Sequence, residues 1–185
     1  MIGTVPTFVS GLPLHPLVVH VAVVLVPAAV LGALVVALWP AARRRWGWPV
    51  VALTALAAIS VPLATSTGEG LEHNLPRTQA IATHAELGDQ LLVFVAPLLL
   101  VVLGLVLVER GRRTPQRADG PGTVVAPRLS AGRARLALVV LAVLAVALAG
   151  ASAVQVFRIG DTGARAVWGD VTFTPQPRPV GAPED

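Results

Sequence analysis

The chain has 185 residues, and 55% of them belong to the AVILMFWYC set before its 17 glycines are counted, where soluble domains reach only ~45–50% with glycine included. Charged residues make up 13% against the usual ~25%, too few to cover a water-soluble core of this size, so the class is an integral membrane protein. With no Cys, Lys or Tyr and a single Met at position 1, the chain excludes disulfides, thiol nucleophiles, lysine Schiff bases, iron–sulfur clusters and methionine-ligated metals.

Four stretches lack Asp, Glu and Arg: residues 17–38, 49–65, 91–108 and 136–156. Each is close to the ~20 residues a helix needs to cross the hydrocarbon. With their flanks they predict an all-α four-helix transmembrane bundle with helices at about 16–39, 48–66, 84–109 and 134–157, together a membrane domain over residues 11–158. Residues 1–14 carry no Arg and the first apolar run is long, unlike a cleavable signal peptide, so the first helix is expected to remain in the protein. Pro16 suits the first turn of that helix, with His15 at its N-cap. Pro27, Pro62 and Pro97 lie inside spans, where they are able to kink them.

Thr83-His84-Ala85-Glu86 reads as a capping box that starts the third helix. Residues 109–135, rich in Gly, Pro and Arg, read as a flexible cytoplasmic loop. In the fourth helix Ala145, Ala149 and Ala153 form a small-residue stripe of the kind that lets helices approach closely. Residues 160–185 read as a Pro/Gly-rich extracytoplasmic tail, in which Val167, Trp168 and Val171 offer a means of docking back on the bundle. No internal repeat is apparent.

Sorted by loop, ten Arg and two acids fall on one side of the membrane and four Arg and eight acids on the other. The positive-inside rule makes the Arg-rich side cytoplasmic and puts both termini outside, in a multi-pass protein of the cell membrane whose first partner is the lipid bilayer. Trp39, Trp46 and Trp48 bracket Arg43, Arg44 and Arg45 as an interfacial belt would. Nucleic acid is a poor partner, because the basic loop has no aromatics on which bases stack.

All four histidines, His15, His20, His73 and His84, lie at or near the outer ends of spans. Ionisable groups there usually face the bundle interior or a water-filled cavity. His15 and His20 are five residues apart, about 140° around a helix, so His20 would need a ligand partner from another helix. His84 has Gly88 one turn further along, with no side chain to block a ligand, and Glu69 and His73 stand at i,i+4.

Three readings are open. The histidines cap helices and pack, as in a structural or interaction subunit with no cofactor. Alternatively they hold a b-type haem or other redox group, with His20 and His84 as the axial pair and Gly88 beside it, because bis-His ligation is the type open to this chain. Or His15, His20, Glu69, His73 and His84 bind a non-haem transition metal. The redox reading implies an accessory to membrane electron transfer with a redox partner in the membrane. No nucleophile–base spacing assigns an enzymatic activity, and no charged group lies at mid-membrane depth for transport.

At these residues the sequence resembles the bacterial membrane-protein family called domain of unknown function 2231. The likeness rests on Leu14-His15-Pro16-Leu17-Val18-Val19-His20 with Pro27 behind it, on Gly68-Glu69 at the exit of the second helix and on His84, over roughly residues 11–110. A segment like 159–168 follows the fourth helix in relatives. This chain departs from relatives at His20-Val21-Ala22, where they read His-Phe-Pro, and at Asp161, where some carry a histidine. The family brings no established activity. Some members are fused to cytochrome-like or Rieske-like modules, an association with redox chemistry.

Overall fold

The computed structural model describes residues 8–76, 78–113, 130–169, 171 and 172. Most of the Arg-rich loop and the end of the tail lie outside the described residues. After a two-residue ribbon, β1 (Phe8–Val9) paired antiparallel with β2 (Leu12–Pro13), come four helices: α1 (Leu14–Leu38), α2 (Pro40–Glu72), α3 (Gln79–Gly111) and α4 (Ala131–Trp168). All four are long and apolar enough to cross a membrane. They pack α1 on α2, α2 on α3, α3 on α4 and α4 back on α1, with little across the α1–α3 diagonal, so successive helices run antiparallel around a closed ring.

The helices run past the limits that hydropathy predicts. Only Trp39, in extended conformation, separates α1 from α2, and Pro40 opens α2 at a position where its missing N–H costs nothing. Arg43, Arg44 and Arg45 are therefore helical. At its other end α2 continues to Glu72, and α3 starts at Thr78, whose Oγ1 accepts the Ile81 N–H at 3.3 Å. The cap is thus Thr78 and not Thr83, which lies inside the helix. Residues 160–168, expected in the tail, extend α4 and carry an Asp161–Arg165 pair at 2.9 Å. Hydropathy sees the part of a helix that dissolves in hydrocarbon, whereas backbone hydrogen bonding carries each helix on into the polar layer. Pro27, Pro62 and Pro97 sit within continuous helices.

The interior is built from small and β-branched residues. Ala29, Ala33 and Val36 of α1 meet Val50 and Ala57 of α2, Val95, Leu98 and Val102 of α3, and Ala149 of α4. Approach is close enough that a Cβ on Gly47 would stand 2.7 Å from Val106 Cγ2. On α4 the buried small stripe is Ala145, Ala149 and Ser152, while Ala153 faces outward. Gln155, also buried, donates from Nε2 to the Leu87 carbonyl at 2.7 Å and ties α4 to α3. Val24, Leu31, Val93, Leu100, Leu136 and Val143 are exposed, a surface that suits acyl chains and not water.

The two ends of the bundle differ in charge. One gathers the start of α2, the end of α3 and the start of α4, with Arg43, Arg44, Arg45, Arg112, Arg113, Arg133 and Arg135 at the same end as Glu109. The other holds all four histidines with Glu69, Glu72, Glu86 and Asp89.

Candidate functional site

At the histidine end the four helices enclose a cavity of about 700 Å³, within the ~300–1,000 Å³ of ordinary ligand pockets. Its walls are mostly apolar, with Val19, Ala22, Val61, Leu91, Val156 and Ile159 among them, and it is reached by His15 of α1 and His84 of α3. The two imidazole centroids are 6.4 Å apart with ring planes at 81°.

Each ring is held by the helix that follows its own in sequence, and in the same way. His15 Nδ1 donates to the Ala64 carbonyl at 3.0 Å, with Thr67 Oγ1 at 3.3 Å, and lies on Gly68, where a Cβ would come within 3.0 Å of its Cε1. His84 Nδ1 donates to the Ile159 carbonyl at 3.0 Å, with Thr162 Oγ1 at 3.4 Å, and lies on Gly163, where a Cβ would come within 2.9 Å of its Cε1. The constellation is carbonyl, two intervening residues, Thr, Gly, once on α2 and once on α4.

A carbonyl only accepts, so both Nδ1 atoms carry a proton, and a ring that is neutral in this tautomer keeps its lone pair on Nε2. Thr67 and Thr162 spend their own hydroxyl protons on carbonyls of the preceding turn, Ala64 at 2.9 Å and Arg158 at 2.9 Å, which leaves the oxygens free to accept from the rings. Among the described residues no protein group bonds either Nε2.

The other expected site residues are not brought together in this way. His20 is exposed, its Nδ1 turned back on the Pro16 carbonyl of its own helix, and it does not line the cavity. The ring that stands beside His84 is that of His15. His73 follows the end of α2, exposed, and donates from Nδ1 to the Glu69 carbonyl at 2.7 Å. Glu69 lines the cavity with Glu72 and Asp89, so the i,i+4 pair Glu69–His73 does not act at one place. Gly88 lines the cavity too, with room to spare, since a Cβ there would meet only Thr65 at 3.9 Å. Among the described residues no group of three or more His, Cys, Asp or Glu is gathered as for a metal ion.

Sequence reasoning missed Thr67, Thr162 and Gly163. A signal existed in the dipeptides Thr67-Gly68 and Thr162-Gly163 near the ends of the second and fourth helices. They are the visible trace of a duplicated arrangement where no repeat was apparent.

The fold and the paired-histidine cavity define an integral membrane protein of the four-helix class. The chain belongs to the DUF2231 family, described as a predicted membrane protein, whose model matches residues 11–175. No curated protein and no solved structure matches it.

Proposed function

We propose that the chain is a membrane subunit that holds a b-type haem between His15 and His84 and serves as an accessory to membrane electron transfer. The observation that carries this is the His15–His84 pair itself, two imidazoles with Nδ1 committed to carbonyls and with Nε2 bonded to no protein group among the described residues. Ligating histidines almost always donate their second nitrogen to such an acceptor, which fixes tautomer and ring orientation.

The rings are 6.4 Å apart. A pair of imidazoles would suit an iron porphyrin, which brings four donors of its own. A bare ion generally takes three or four protein ligands, and no third His, Cys, Asp or Glu is grouped with the pair among the described residues. One-electron exchange is the chemistry the iron supplies when bound. His15 and His84 would hold it, Ala64 and Ile159 would orient them, and the apolar walls would keep water away.

A second reading, a non-haem transition-metal ion, is favoured by Glu69, Glu72 and Asp89 on the cavity wall, which attract a cation and repel the carboxylates of a haem. Purification in mild detergent from cells supplied with haem and metals separates the two. A Soret band lost in His15→Ala and in His84→Ala, and kept in His20→Ala, is the expected result. Colourless protein with stoichiometric iron, zinc or copper supports the ion. Protein with neither is a structural subunit, and the redox reading fails.

A further inference from the structure

The opposite end of the bundle contains a second recess, of about 400 Å³, walled by Pro40, Arg43 and Arg44 at the start of α2 and by Glu109, Arg112 and Arg113 at the end of α3. Its walls carry four guanidinium groups and one carboxylate. Glu109 Oε1 accepts from Arg113 Nε at 3.0 Å, and Oε2 lies 3.6 Å from Arg43 Nε. Among the described residues no carboxylate pairs with Arg44 or Arg112.

Arg43 is the unusual member, being only 6% exposed. Its Nε makes no hydrogen bond among the described residues, and its Nη1 reaches only the Ala37 carbonyl, at 3.5 Å. A buried guanidinium with unmade hydrogen bonds is costly, because its hydration has been given up without replacement. A topological role for arginine accounts for the sign of the charge at this end of the bundle, but it does not require burying any of the guanidinium groups. Burial of Arg43 at the wall of an open basic recess makes sense if an acceptor from outside the chain completes its coordination.

The character of that acceptor follows from charge and depth. The recess has an excess of three positive charges on its side chains, and the N-terminal end of α2 adds partial positive charge. A single carboxylate would leave most of this uncompensated. A phosphate group brings one or two negative charges and oxygens that match the planar fork of arginine. Trp39, Trp46 and Trp48 are exposed on the same stretch of chain, and the Arg45 guanidinium lies 5.7 Å from the Trp46 ring centroid. Exposed Trp at helix ends marks headgroup depth, where lipid phosphates are concentrated.

We propose that this recess is a phosphate-binding site in which Arg43, Arg44, Arg112 and Arg113 receive the phosphate of an anionic lipid headgroup or of a soluble phosphate. The site is independent of the histidine cavity. Full-length protein, delipidated in detergent, is titrated with phosphatidylglycerol, with phosphatidylcholine and with inorganic phosphate, and bound species are counted by native mass spectrometry. Phosphatidylglycerol bound in preference to phosphatidylcholine supports the lipid source, and inorganic phosphate that binds or displaces it supports the soluble one.

In either case affinity falls roughly fivefold for each arginine removed. Arg43→Gln tests the buried donor, and the exposed pair Arg112→Gln with Arg113→Gln tests the site without disturbing the interior. Equal binding of the two lipids with no binding of phosphate, or affinity unchanged in both variants, overturns the proposal.

Discussion

His15 and His84 owe their orientation to neighbours with almost no side chain. Gly68 and Gly163 let each imidazole lie on the backbone of the next helix, close enough for Nδ1 to reach a main-chain carbonyl. Gly163→Ala would push a methyl group to within 2.9 Å of His84 Cε1, and overpacking of this kind costs ~1–3 kcal/mol. Gly150→Ala, where a new Cβ meets nothing within 4 Å, instead gains up to ~1 kcal/mol of helix propensity. Thermal unfolding in detergent is expected to fall for the first variant and to hold or rise for the second. Equal behaviour would mean that the His84–Gly163 contact is not constraining. The histidines were legible in the sequence because ionisable groups stand out in apolar chain. Gly163 was not, since its meaning lies in a ring that arrives from a residue 79 positions away.

The existence of each helix was legible and its ends were not. Thr83 and Glu86 satisfy the capping-box pattern, yet the chain enters α3 at Thr78, one turn and a half earlier, because Thr78 is the residue with extended backbone and a hydroxyl on the Ile81 N–H. Local pattern points to Thr83, and the helix starts instead at Thr78, which lengthens it. Thr78→Ala is expected to cost ~1 kcal/mol, the usual value of an N-cap side chain. Thr83→Ala, inside the helix and replaced by a better helix former, is expected to change stability by less than ~0.5 kcal/mol. Urea unfolding of the two variants in the same detergent decides between the caps. A larger loss for Thr83→Ala would restore the later start. The buried stripe of α4 shows the same limit, since four-residue spacing pointed to Ala153 where the packed face turns to Ser152.

At the level of the whole molecule, the number of spans and the all-helical bundle follow from composition, because a chain this apolar has few other ways to satisfy its backbone in lipid. Which face of each helix looks inward does not follow. In water the buried face is the apolar one, but here lipid and interior are equally apolar and little periodicity marks the difference. Hence the sequence reading pairs His84 with His20, one turn deeper than His15, although His20 faces outward. Orientation across the membrane is a separate matter, carried by charge. The positive-inside rule predicts the arginine end in the cytoplasm and the histidine cavity outside. A chain without cysteine makes this directly measurable, because any introduced thiol is the single label site. Leu75→Cys, in the exposed turn between α2 and α3, probes the histidine end, and Gly111→Cys, where a side chain meets nothing within 4 Å, probes the other. In intact cells a membrane-impermeant maleimide is expected to label the Leu75→Cys protein and to leave the Gly111→Cys protein unlabelled until the membrane is opened. The reverse pattern would turn the bundle over and put the histidine cavity on the cytoplasmic side, where any electron partner would have to be sought instead.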